Sequence, residues 1–150
     1  MEVTLESLEL IEELAYTAGI VDGEGSVGIG HNEKSSKNLY YGVFVSVTNT
    51  AEWLTQWLQL THGGSVHPYQ HPNPKYKLAY KWSLHGVAAA EFLESILPYL
   101  HLKRPQAELA IKFQKQKKLH ANHHILYDQR ELVLQEADYI LMASLNKRGL

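Results

Sequence analysis

The chain has 150 residues, 45% hydrophobic and 20% charged, enough for one domain with its own core and ordinary for a globular protein. No apolar run approaches the roughly 18–20 residues of a membrane span, and the acidic start MEVTLESLELIEE lacks the basic-then-apolar layout of a signal peptide. The absence of cysteine excludes a disulfide scaffold and a thiolate zinc site, and it fits a reducing compartment such as the cytoplasm. The net charge of −2 hides an asymmetry: residues 1–30 carry seven acids and no base, residues 31–83 carry five lysines against Glu33 and Glu52, and residues 103–118 carry six bases against Glu108. A polyanion would meet the basic middle rather than the average.

In chain order, Leu8, Ile11, Leu14, Ala15, Ala18 and Ile20/Val21 recur at helical spacing, with Glu6, Glu9, Glu12 and Glu13 between them. This helix runs into Gly23-Glu24-Gly25 and places the Glu24 carboxylate where unpaired carbonyls already carry partial negative charge. A cation is the natural stabiliser of such a group. Ser26 to Asn32 alternates as a strand with Val27, Ile29 and His31 on one face; Gly28 and Gly30 on the other imply close approach by something large.

Residues 33–38 read as a loop and 41–48 as a second strand with Val43, Val45 and Val47 inward. Asn49 or Thr50 can cap a helix through Leu60 that His62-Gly63-Gly64 ends. Residues 65–69 form a third strand, the turn HPNP breaks it, and 75–84 returns as a fourth. On that fourth strand Lys75, Lys77, Ala79, Lys81 and Ser83 share one face, while Tyr76, Leu78, Tyr80, Trp82 and Leu84 share the other. Helices follow at about 86–97, 105–120 and 128–145, bounded by Pro98 and Pro105. The order α-β-β-α-β-β-α-α-α predicts a single α+β domain over residues 1–150, with an antiparallel sheet backed by helices.

The segment Leu14-Ala15-Tyr16-Thr17-Ala18-Gly19-Ile20-Val21-Asp22-Gly23-Glu24-Gly25 resembles the LAGLIDADG motif of homing endonucleases, with Thr17 in place of a leucine and Glu24 in place of the final aspartate. Phe44 to Asn49, Lys75 to Leu84, the block Leu97-Pro98-Tyr99-Leu100-His101-Leu102-Lys103-Arg104-Pro105-Gln106-Ala107 and Leu145 to Gly149 also resemble family segments, in the same order. The resemblance implies an αββαββα fold with a saddle-shaped antiparallel sheet over DNA and extra C-terminal helices. Because the chain holds one motif, it also implies a homodimer whose motif helices pack side by side. The small residues Ala15, Ala18 and Gly19 would line that interface with Asp22, which by itself suits a helix-end cap or structural acid better than a direct metal ligand.

The implied activity is site-specific cleavage of double-stranded DNA, with Mg²⁺ (or Mn²⁺) held by Glu24 and backbone carbonyls such as that of Gly23. Lys103 and Asn49 match positions at the family's active site, though Asn49 equally suits an N-cap. Where the family often has Arg or Lys just beyond, Ala51, Glu52 and Trp53 stand here. The face expected to meet a long, pseudo-palindromic duplex comprises Ser26, Gly28, Gly30, Asn32, Lys34, Ser46, Thr48, His67, Tyr69, Lys75, Lys77, Lys81 and Ser83. A non-cleaving binder of the same fold, an RNA maturase or a DNA-binding regulator, is the alternative. An intron-encoded version would work in an organelle.

Plainer roles stand beside these. The lysine stripe of the fourth strand also suits a solvated, edge-protecting face. Lys112, Lys115, Lys117 and Lys118 read as a solvated helix face within reach of phosphate. His120, His123 and His124 form no paired-ligand pattern for zinc. Leu132, Leu134, Ala137, Ile140, Leu141 and Leu145 read as a core-packing stripe, and Trp53, Trp57 and Trp82 as core or core-edge anchors.

Overall fold

The computed structural model describes residues 2–33, 39–117 and 129–147. Helix α1 spans Leu5–Glu24, followed by β1 (Gly25–His31) and β2 (Tyr41–Asn49), α2 (Glu52–His62), β3 (Ser65–Tyr69) and β4 (Ala79–His85). Helices α3 (Gly86–Ile96), α4 (Arg104–Lys117) and α5 (Gln129–Asn146) close the chain, with a 3-10 turn at Leu97–Tyr99. The four strands form one antiparallel sheet in the order β1-β2-β4-β3. This is the α+β architecture that the alternation of strand and helix signals predicts.

Helix α1 starts with a reciprocal cap: the Ser7 amide donates to Thr4 Oγ1 and the Thr4 amide to Ser7 Oγ, satisfying two otherwise orphaned donors. It ends at Gly25, where steric room is short. A Cβ there would sit 2.7 Å from the Val21 carbonyl oxygen. Thr17, Ala18 and Val21 form the stripe that meets the core. Val27, Ile29, Val43, Val45, Val47, Trp82 and Leu84 supply the sheet's inner face, and α3, α4 and Met142 of α5 cover it. The Trp82 indole is fully buried and donates to the Gly63 carbonyl at 2.8 Å, so β4 is pinned to the end of α2.

Several expectations are corrected. The fourth strand begins at Ala79 rather than Lys75. Asn73 Oδ1 accepts the Lys75 amide at 3.0 Å and the Asn73 carbonyl accepts the Tyr76 amide, so the segment between Pro72 and the strand is folded into its own turn. Tyr76 and Leu78 are therefore 60% and 44% exposed instead of in the core.

Helix α5 packs on a different face from the one its leucines suggest. Leu132, Gln135, Tyr139 and Met142 turn inward, while Leu134, Ile140, Leu141 and Leu145 are exposed. Ala137 is exposed with them. Trp53 is 63% exposed rather than a core anchor; Trp57 packs at the core's edge. The cap of α2 is Ala51, not Asn49 or Thr50. Lys117 leaves the solvated face assigned to it: it is buried, and its ammonium donates to the Tyr41 carbonyl and lies 3.4 Å from the centre of the Tyr40 ring. Burial lowers its pKa to about 8. Lys112 and Lys115 pair with Asp138 and Glu94. Lys118, His120, His123 and His124 lie outside the described residues.

Candidate nucleic-acid interface and active site

Three segments converge on the C-terminal end of α1. Glu24, exposed as its last residue, accepts a long 3.4 Å hydrogen bond from Asn49 Nδ2 at the end of β2. Asn49 Oδ1 in turn accepts the Ala51 amide at 2.8 Å, which fixes the amide so that its NH₂ faces Glu24. Lys103, from the loop before α4, donates its ammonium to the Asp22 carbonyl at 2.7 Å. A cation at the end of a helix is favoured by the dipole there. The segments thus bring Glu24, Asn49 and Lys103 to one place.

Asp22 has a task within this chain. Its carboxylate accepts the amides of His101 and Lys103 at 2.8 and 3.0 Å, so both oxygens serve to hold the loop that carries Lys103. Of the residues assigned to the interface, Ala18 is fully buried in its own core and cannot line one. Helical phase explains this: Ala18 follows Leu14 and Val21 inward, whereas Leu8, Ile11, Ala15 and Gly19 form an outward stripe. Leu8 and Ile11 are 45% and 42% exposed, so the outward stripe is apolar at its start and small at its end.

Distant blocks also meet beneath this site. Gln106 Nε2 donates to the Leu145 carbonyl at 3.1 Å and Asn146 Oδ1 at 3.3 Å, and Asn146 Nδ2 donates to the Val27 carbonyl at 2.9 Å. These bonds tie α4, α5 and β1 together.

The outer face of the sheet follows from the register. Ser26, Ser46, Ser83 and Ser65 stand in one rung across all four strands; Thr48, Lys81 and His67 form the next. Ser46 and Ser83 are only 6% and 9% exposed, so direct polar reach falls to Ser26, Thr48, His67, Lys81 and the half-exposed Tyr69. Gly28 is covered: the Phe44 ring lies where a Cβ at Gly28 would be, 2.6 Å from its nearest atom. The large neighbour expected from the glycines is thus an internal side chain, and neither the Phe44 ring nor His85 beside it was singled out from the sequence. Alternation alone would have placed both on this face. Asn32 is exposed at the strand end, where its Oδ1 accepts the Tyr40 amide at 2.8 Å. Lys75 and Lys77 are exposed on the turn rather than on the strand. Lys34 lies outside the described residues.

The site offers oxygen donors in the form of the Glu24 carboxylate and helix-terminal carbonyls such as that of Gly23, a set suited to a hard divalent cation. Among the described residues no three His, Asp or Glu side chains cluster as a metal centre.

No sequence-family model matches the chain, and no curated protein matches it by sequence. Solved structures do. The homing endonuclease I-CvuI, crystallised with its target in the presence of Ca, superimposes with a TM-score of 0.77 at 20% identity over 95% of this chain and 87% of that one. The chain carries the LAGLIDADG homing-endonuclease fold. The archaeal intron-encoded homing endonuclease I-Vdi141I, complexed with DNA, shares this LAGLIDADG fold with a TM-score of 0.73 at 12% identity over 93% of this chain and 87% of that one. The LAGLIDADG homing endonuclease I-SmaMI, bound to cleaved DNA, matches with a TM-score of 0.67 at 16% identity over 98% of this chain and 48% of that one. At these identities the likeness is one of LAGLIDADG fold alone.

Proposed function

We propose that the chain is a homodimeric, Mg²⁺-dependent endonuclease that cuts both strands of a long, roughly palindromic DNA site. The observation that carries this reading is the meeting of Glu24, Asn49 and Lys103 at the end of α1, flush with the start of the sheet's outer face. The exposed stripe of Leu8, Ile11, Ala15 and Gly19 suits a second copy related by a two-fold axis, because small residues let two helix backbones come close. I-SmaMI is matched over about half its own length.

The two Glu24 carboxylates, with the Gly23 carbonyls, would hold the divalent ions, which when bound lower the pKa of a water and polarise the scissile phosphate. Asn49 acts as a positioning residue by orienting the Glu24 carboxylate. Lys103, held by Asp22, would set a fixed positive charge against the phosphate as negative charge develops. Ser26, Thr48, His67 and Lys81 would face the major groove, with Lys81 and the turn lysines Lys75 and Lys77 also meeting phosphates.

One observation favours a non-cleaving binder of DNA or RNA: Ala51, Glu52 and Trp53 follow Asn49, with no cation among them. Digestion with and without Mg²⁺ separates the readings. Under the nuclease reading, Glu24→Gln lowers cutting at least about a hundredfold and Lys103→Ala about 10²–10³-fold, both with binding retained. Tight binding without any cut by the unaltered chain would leave the binder.

A further inference from the structure

The outer face of the sheet is polar except at its far end from Glu24. There Gly30 pairs with Gly42 across β1 and β2, so two bare backbones face each other. The Tyr40 ring lies over Gly42, 2.9 Å from where a Cβ would stand, and the Phe44 ring lies over Gly28 and reaches to 3.8 Å from a Cβ at Gly30. His85 pairs opposite Phe44 on β4. Except for Gly28 these residues, with His31 and Gly86, line a recess of about 230 Å³. Phe44 belongs to the outer face by its pairing, two residues from Ser46 on the same side, and takes no part in the core. An aromatic wall over a glycine floor needs an apolar occupant.

The major groove displays one apolar group, the C5-methyl of thymine. Any other base edge set against the Phe44 ring would lose water from a donor or acceptor and gain no partner from the ring, so that only the imidazoles of the lining could replace it. Resting on the DNA-binding reading above, we infer that Phe44 and the recess beside it are specificity-determining and read the methyl group of a thymine. Its position follows from the strand. Phe44 pairs with Gly28 and its ring reaches towards Gly30, three to five residue steps from Gly25 beside Glu24, or about 10–17 Å at strand rise. At 3.4 Å per base pair this puts the thymine about three to five base pairs outward from the cut, once in each half-site.

The test uses the duplex site recovered from a randomised pool, with each thymine replaced singly by deoxyuridine, which removes only the methyl. Binding by the unaltered protein is expected to weaken about fourfold at one position per half-site, about three to five base pairs from the cut, as for one buried methyl. Phe44→Ala is expected to bind the thymine duplex as weakly as the unaltered protein binds the uridine one, and to be indifferent to the exchange. Phe44→Leu, which keeps an apolar side chain over Gly28, should retain most of the discrimination. A merely structural Phe44 would lower thermal stability and leave the uridine penalty intact; that result, or a site indifferent to uridine everywhere, overturns the inference while the endonuclease reading stands. Failure to bind any duplex removes that reading and the inference together.

Discussion

Asp22 and Lys103 hold each other twice. The Asp22 carboxylate accepts the Lys103 backbone amide at 3.0 Å, and the Lys103 ammonium returns to the Asp22 carbonyl at 2.7 Å. The same carboxylate takes the His101 amide at 2.8 Å, so a single side chain closes the loop before α4 onto the end of α1. Hydrogen bonds to a charged acceptor are worth more than neutral ones, and the donors here are backbone groups that cannot turn elsewhere. Asp22→Ala is expected to cost about 2 kcal/mol or more in urea unfolding. It should also slow any cleavage through the displaced Lys103, whereas Asp22→Asn keeps one acceptor and loses less. Unchanged stability in both variants would remove the clasp from the account.

Two glycines are expected to respond differently to alanine. At Gly25 the added Cβ meets backbone, 2.7 Å from the Val21 carbonyl oxygen and 2.9 Å from Val21 Cα, and nothing can yield cheaply. Gly25→Ala should cost about 1–3 kcal/mol whatever else is changed. At Gly28 the obstacle is the tip of the Phe44 ring. Gly28→Ala should therefore destabilise the native chain but cost little in a Phe44→Ala background. A double-mutant cycle by thermal unfolding reads the difference; additive costs at Gly28 would contradict the packing described.

His62 introduces a pH dependence. Its ring stacks edge-on against Phe92 and its Nε2 lies 3.2 Å from the Thr17 hydroxyl; burial lowers its pKa below 6.5, with Glu13 opposing. The unfolded chain thus binds this proton more readily than the folded one. Stability from this site is complete above pH 6.5 and falls as the pH drops through 6.5 towards the lowered value. Urea melts between pH 5 and 8 should show the loss, and His62→Gln should flatten that part of the profile. A steeper profile in the variant would reverse the sign and contradict the burial argument.

The outward stripe of α1 makes Gly19 a sensitive position, since it is exposed in one protomer and a Cβ there meets nothing. Gly19→Lys should leave the fold of the single chain intact, read as unchanged helical circular dichroism. In the proposed dimer it would set two long charged side chains against each other. Light scattering is expected to show the variant shifted to monomer, and an unchanged dimer would move the interface elsewhere.

Most of the fold was legible because its signals are local. Alternating valines at 43, 45 and 47 give the inner face of β2, and Pro98 and Pro105 bracket the turn and loop between α3 and α4. The candidate site was legible through the Gly-Glu-Gly helix end and the block carrying Lys103. Relations across the chain were not. Helix α5 is apolar on more than one side, so periodicity could not choose between Leu134 and Gln135, and packing beside α4 buried the glutamine. The clean alternation of Lys75 to Leu78 was overridden by Asn73, whose side chain captures a backbone amide that a strand would have used. Ala18 looked like a small interface residue because spacing shows which residues share a face, not which face meets the core.

The most direct measurement is the sequence of the ends produced when a randomised duplex pool is digested with the protein and Mg²⁺. Two active sites related by a two-fold axis require double-strand breaks at a site whose halves mirror each other, with the products absent for Glu24→Gln. Recovery of bound but uncut duplexes, or of cuts in a sequence without two-fold symmetry, would contradict the paired Glu24 site.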